Sequence, residues 1–211
     1  MALAYARTAT EVCLCLTIDY GQRAAARETA AAAALAAYYQ APHQILPLPF
    51  LGEISGNALV YPDAPLPEPE LTQLDDPDTS AANMAQVWIP NRNGLLVNIA
   101  AAFAEAYGAE VLVAGFNREE AKAFPDNSEA FVTALNKCLA YSVRPPLQVI
   151  SYTQRLNKVE IIKLGQRLAV PLQYIWSCYR GGRQMCGQCE SCARLKRAAG
   201  KAGLAQEIFF G

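Results

Sequence analysis

Four of the seven cysteines in this 211-residue chain fall between positions 178 and 192, as Cys178, Cys186, Cys189 and Cys192, in the spacing C-x7-C-x2-C-x2-C. C-x2-C steps make tight turns that carry sulfurs to about 2.3 Å from one ion, the geometry of a structural zinc site. Gly181, Gly182 and Gly187 relax the backbone where those turns must form. An iron–sulfur cluster or plain buried thiols would use the same residues. Four sulfur ligands fit tetrahedral Zn²⁺ best and leave no open position, so the metal is expected to brace the fold and not to react. Cys13 and Cys15 lie on a strand pattern and Cys138 on a helix pattern, and all three are expected in the core.

Hydrophobic residues make up 53% of the chain, enough for a full core in one domain with a small appendage. No apolar run reaches the length of a membrane span, and the start lacks the order of a signal peptide. A cytoplasmic protein is expected, where reduced thiols favour metal over disulfide. The net charge of -1 hides an asymmetry. No Lys or Arg lies between Arg27 and Arg92, whereas eleven basic and three acidic residues follow from Arg144 onward. A basic C-terminal third suits an anionic partner, or it offsets a cluster of thiolates.

"EVCLCLTID" (11–19), "HQILPLPF" (43–50), "AEVLVAGFN" (109–117) and "LQVIS" (147–151) read as strands. Helical patterns alternate with them at about 22–40, 94–108, 128–142 and 157–170. The alternation predicts an α/β fold with a doubly wound, mainly parallel sheet, followed by the four-cysteine segment. We divide it into an α/β domain over 1–170 and a metal-binding segment over 171–211. Residues 52–86 carry five prolines among acids and small residues. They are expected to form a long mobile loop, either a lid or an insert without order.

Ligands of such sheets bind beyond the carboxyl ends of the strands. "DYGQR", "GFN" and the stretch after "QVIS" fall there. In "WIPNRN", Arg92 offers a planar fork to a carboxylate or phosphate, while Asn91 and Asn93 either read a base edge or cap the next helix. Lys158 opens a helix whose N-terminus favours an anion, although lysine is also a common exposed residue there. His43, the single histidine, sits at a strand edge with no evident chemistry.

"DYGQR", "WIPNRN", "GFNREEAKAFPDNS", "LNKVEIIKLG" and "IWSCYRGG…MCGQCESCARLKRA" follow one another in an order that resembles the 7-cyano-7-deazaguanine synthase family over nearly the whole chain. The resemblance implies a Rossmann-like ATP pyrophosphatase fold and a C–N-bond-forming ligase. Such an enzyme converts 7-carboxy-7-deazaguanine, ammonia and ATP, with Mg²⁺, into 7-cyano-7-deazaguanine for queuosine biosynthesis. The carboxylate would be adenylated, the amide formed, and that amide activated again for dehydration to the nitrile. By resemblance Tyr20, Gln22 and Arg23 belong near the nucleotide. Asn117 and Asp126 belong near the deazaguanine ring; the alternative for Asp126, with Asn127 and Ser128, is to cap the helix that follows. Arg92 and Lys158 are the expected catalytic cations, and Cys178, Cys186, Cys189 and Cys192 the ligands of a structural Zn²⁺. Asn127 and Ser128 stand where many relatives carry a cysteine and an arginine.

The family's SGGxDS phosphate loop occurs nowhere in the 211 residues, and "MALAYARTATEV" resembles the helix that follows it. A fragment with a natural start upstream is expected, the alternative being a degenerate relative that no longer hydrolyses ATP; if the chain as given is complete, it is not expected to catalyse the reaction. Two other readings stand beside the ligase. One is a related ATP pyrophosphatase that modifies tRNA or a protein; the other is a non-catalytic, zinc-stabilised binding module. Small-molecule substrates and a homodimer are the expected partners. Direct nucleic-acid binding is not expected, although Trp176 and Tyr179 flank Cys178.

Overall fold

The computed structural model describes residues 1–210. The chain alternates helix and strand as α1 (Ala2–Ala9), β1 (Cys15–Asp19), α2 (Ala25–Tyr38), β2 (His43–Pro47), α3 (Pro49–Glu53), α4 (Pro77–Val87) and α5 (Arg92–Ala106). It continues as β3 (Val111–Val113), α6 (Glu129–Leu139), β4 (Gln148–Ile150), α7 (Lys158–Arg167), α8 (Glu190–Lys201) and α9 (Glu207–Phe210). Short 3₁₀ turns at Glu120–Lys122 and Pro125–Asn127 shape the connection from β3 to α6.

The strands pair in parallel, β1 with β2 in the register Cys15↔His43 and β3 with β4 in the register Val111↔Gln148. Parallel neighbours need a crossover, which α2 and α6 supply. The α/β, parallel character expected from the alternation is therefore present, as two strand pairs. Their facing edges, β1 and β3, share one cavity of about 830 Å³ with the segment 10–14. Apolar side chains from α1 (Leu3, Ala6) and α5 (Phe103, Ala104) also line it. The strand read at 11–19 begins its pairing only at Cys15, because 11–14 run along this slot.

Three apolar clusters hold the layers together. The first joins Ala4 of α1 and Ile162 of α7 to Leu195, Ala198 and Ala199 of α8 and to three cysteines. The second packs Val97 and Ala101 of α5 against Leu135, Leu139 and Val149. The third buries Leu51, Ala58, Leu59 and Leu66 with Val87, Ile89 and Tyr20.

That third cluster corrects the expectation for 52–86. The segment is packed: Leu59, Leu66 and Leu74 are buried, and α4 closes it. Proline misled the composition argument at Pro77, which occupies the first turn of α4, where a missing N–H costs no hydrogen bond. Asp76 caps α4 by accepting the Thr79 N–H at 2.7 Å. The core assignment of the three lone cysteines is corrected too. Cys13 and Cys138 are exposed and Cys15 is half-buried, since Cys13 and Cys15 line the slot and Cys138 falls on the outward side of α6.

Candidate functional site

The four-cysteine segment is built from backbone turns around sulfur. Cys178, Cys189 and Cys192 are fully buried, and all four Sγ atoms lie within 4.8 Å of one another. A tetrahedron of Zn–S bonds needs sulfurs separated by about 3.8 Å, and Cys186 Sγ stands 3.9 Å from Cys192 Sγ. The amides of Arg180 and Cys186 donate to Cys178 Sγ, both at 3.4 Å, and those of Gln188 and Cys189 donate to Cys186 Sγ. Amide donors aimed at sulfur favour thiolate, the form that binds metal. The neighbouring Cys189 and Cys192 thiols donate to Cys178, which lowers its pKa and raises their own. The donor set and its spacing fit a closed metal site.

This segment is pressed onto the carboxyl end of β1. Gly181 adopts φ +68°, and a Cβ there would collide with the Arg23 carbonyl oxygen. Arg27 of α2 donates to the Gly182 carbonyl at 2.8 Å and lies over the Trp176 ring at 5.5 Å. The metal segment and the strand end are thus one surface.

Beside them, side chains from five places in the sequence converge. The Tyr20 phenol contacts the Arg92 guanidinium; burial raises its ionisation and Arg92 opposes the rise. Arg92 feels Tyr20, Asp126 and Tyr179 as well, and donates from Nε to Asn93 Oδ1 at 3.2 Å. Asn93 in turn donates to the Asp126 carbonyl at 3.3 Å. Burial pushes the Asp126 carboxyl up, and the Arg92 charge pulls against it. Lys158 Nζ pairs with Glu120 Oε1 at 2.8 Å, and that cation keeps Glu120 below the ordinary carboxylate range. Burial lifts the Tyr179 phenol strongly, and the negative charges of Glu190 and Glu120 add to it.

Tyr20, Arg92, Asp126 and Lys158 thus share one charged cluster at the ends of β1 and β3. Gln22 and Asn117 are buried within its supports. Gln22 accepts the Tyr20 N–H at 2.9 Å and donates to Glu28, fixing the turn into α2. Asn117 accepts the Glu120 N–H at 3.0 Å, which shapes the loop after β3. Arg23 is turned elsewhere: its guanidinium is satisfied by the Ala58 and Ala64 carbonyls at 3.1 and 3.0 Å. Asn91 takes a left-handed conformation with φ 52° and makes no side-chain cap for α5. His43 donates to or accepts from Thr17 Oγ1 at 2.9 Å, on β1.

Glu119, Glu120 and Tyr179 join the cluster without having been singled out by pattern. Glu119 and Glu120 stood in "GFNREE", directly beyond a buried strand, and Tyr179 stood beside a metal ligand. The position was the available signal; their pairing with residues about 40 to 75 positions away was not visible.

A cavity of about 430 Å³ opens beside this cluster, with Tyr20, Arg92, Asn93 and Phe116 in its wall. Its wall carries one cation, Arg92, and one carboxylate, Glu28, above a floor of apolar strand residues, a lining that suits a planar ligand with polar edges.

Residues 1–203 match the family described as "Queuosine biosynthesis protein QueC". The chain is 59% identical over 203 residues to the 7-cyano-7-deazaguanine synthase of Desulforudis audaxviator (strain MP104C), covering 96% of this chain and 92% of that protein. It is 55% identical over 207 residues to the synthase of that name from Pelotomaculum thermopropionicum, covering 98% of this chain and 94% of that one. A more distant likeness, 38% over 206 residues, is to the 7-cyano-7-deazaguanine synthase of Methanosarcina mazei, covering 96% of this chain and 89% of that protein.

Proposed function

The chain belongs to the QueC family of queuosine biosynthesis, and from that premise we propose that its charged cluster serves ATP-dependent conversion of 7-carboxy-7-deazaguanine and ammonia into 7-cyano-7-deazaguanine. The single observation that carries the reading is the meeting of Tyr20, Arg92, Asp126 and the Lys158–Glu120 pair at strand ends, against a four-cysteine segment.

The chemistry explains why such residues gather. A carboxylate resists attack by ammonia because its charge repels the nitrogen lone pair. Transfer of AMP to one carboxylate oxygen, with pyrophosphate leaving, turns that oxygen into a leaving group. Ammonia then forms the amide and AMP departs. A second transfer of AMP, to the amide oxygen with pyrophosphate again leaving, lets loss of both N–H protons and of AMP close the nitrile. Each activation concentrates negative charge on phosphate, so it needs fixed cations in a site with little water.

In this reading Arg92 gives its fork to the carboxylate or the α-phosphate, with the N-terminus of α5 adding favourable field. Lys158 faces the phosphates and exchanges its Glu120 partner for one of them. Asp126 accepts two N–H donors of the deazaguanine edge, one on each oxygen, a pairing that needs the ionised carboxylate. Tyr20 and Gln22 hold the nucleotide side, and Arg23 secures the segment 58–64 that borders it. Mg²⁺ would neutralise the triphosphate oxygens. Cys178, Cys186, Cys189 and Cys192 would hold a structural Zn²⁺, which would brace the loop that carries Tyr179 against β1.

The test is incubation of the gene product, at its natural length, with the carboxylate, ammonium and Mg-ATP. Nitrile detected by mass with matching release of AMP is the expected outcome. Retention of neither substrate, or turnover of ATP without any change in the deazaguanine, rejects the reading.

A further inference from the structure

The metal segment touches more of the molecule than the strand end, through α8, which begins at Glu190 directly after one ligand and carries Cys192 within it. Three turns of that helix present Glu190, Arg194 and Arg197 to the same side. Arg194 donates to Glu190 Oε1 at 2.8 Å and Arg197 to Asp75 Oδ2 at 2.7 Å. Both also converge on one oxygen of Glu119: Arg194 Nη1 at 3.1 Å and Arg197 Nη2 at 2.8 Å. The other Glu119 oxygen accepts the backbone N–H of Lys158 at 3.1 Å. Glu119 and Arg194 each have 12% of the side chain exposed and Arg197 15%, so these are enclosed pairs in which removal of one partner is felt.

Glu119 therefore stands between a helix bearing a metal ligand and the first residue of α7. The adjacent Glu120 holds the Lys158 ammonium. Two consecutive carboxylates thus grip one lysine, by its amide and by its side chain, and the first is itself gripped from α8. We propose that Glu119 is a positioning residue that transmits the order of the four-cysteine segment to Lys158, so that the metal site sets where the active-site ammonium lies. Lys158 as a group facing the substrate rests on the functional reading above; the coupling from α8 to Lys158 does not.

A glutamine tests it, because Glu119→Gln retains an oxygen for the Lys158 amide and removes the charge that binds two guanidinium groups. In the metal-loaded, full-length protein, hydrogen exchange at the Lys158 amide should rise about tenfold in Glu119→Gln, and likewise in the wild-type protein after the metal is chelated. Turnover should show kcat down about tenfold with KM for Mg-ATP within about twofold, since a displaced ammonium is missed chiefly in the transition state. Metal content should stay at its wild-type value. Arg197→Gln, which keeps Glu119 and Arg194, should move exchange in the same direction. The double variant should lose no more than Glu119→Gln alone. Unchanged exchange at Lys158 on both chelation and substitution overturns the proposal. So does a loss of kcat that merely tracks lost metal or unfolded protein, or additive losses in the double variant. If the wild-type protein makes no nitrile, the functional reading falls and the exchange data still decide the coupling.

Discussion

Lys158 Nζ and Glu120 Oε1 lie 2.8 Å apart, joining the start of α7 to the 3₁₀ turn after β3. The lysine is mostly enclosed, whereas about a third of the glutamate remains open to water. The pair is thus strong enough to lower the carboxyl and accessible enough for an anionic ligand to compete for the ammonium.

Lys158→Met should destabilise the protein by about 1 kcal/mol near neutral pH, a modest figure because solvent screens the exposed side of Glu120. The sign with pH follows from the depressed Glu120 carboxyl. Its contribution is complete above the unfolded value and is lost as pH falls through the lower, folded one. Urea unfolding between pH 3 and 7 should show the wild-type advantage shrinking towards acid, and a flat difference would contradict the pairing.

Arg92→Lys keeps the charge and removes the fork. With Arg92 already engaging Asn93 and Tyr20, a lysine cannot serve both and a ligand carboxylate. We expect kcat/KM for nitrile formation to fall about 10- to 100-fold and stability to fall by about 1 kcal/mol for the lost bonds. Steady-state kinetics on the two proteins checks this.

Cys192→Ala removes a fully buried ligand. Metal content by elemental analysis should drop to near zero, and stability should fall by several kcal/mol, seen as a melting shift of about 10 °C or more. Cys138→Ser, at an exposed position, should leave both within error, or about 0.5 kcal/mol.

Two glycines should respond in opposite directions to alanine. Gly181 needs φ +68° and close approach to the Arg23 backbone, so Gly181→Ala should cost at least about 2 kcal/mol and weaken metal retention. Gly200 lies in α8 with open space around it, so Gly200→Ala should stabilise by about 0.5–1 kcal/mol. Chemical denaturation of each variant measures both.

Much of this arrangement was legible because it is local. The alternation of strand and helix and the four-cysteine spacing each rest on neighbours close in the sequence. Tyr20 and Asp126 were singled out by family resemblance, and Arg92 and Lys158 by their chemistry before helices; the structure brings the four into one cluster. What stayed hidden is long-range. Nothing in "PDAPLPEPE" announces that Leu66 is buried or that the Pro67 carbonyl accepts the Glu190 N–H. Arg23 looked like a nucleotide ligand until the carbonyls of Ala58 and Ala64 were seen to claim it. Cys13 looked like core because an apolar run does not reveal which strand edge will lie beside a cavity.

The clasp between the proline-rich segment and the C-terminal four-cysteine segment with α8 has a consequence for assembly. Glu68 meets Arg180, the Pro67 carbonyl meets Glu190, and Asp75 meets Arg197, contacts that span well over a hundred residues of chain. During translation the segment around 60–75 leaves the ribosome long before its partners exist, so its closure must wait for the cysteines and the helix behind them. A nascent chain stalled before residue 178 should therefore be cut readily by protease near Leu71, and one that has released α9 should resist.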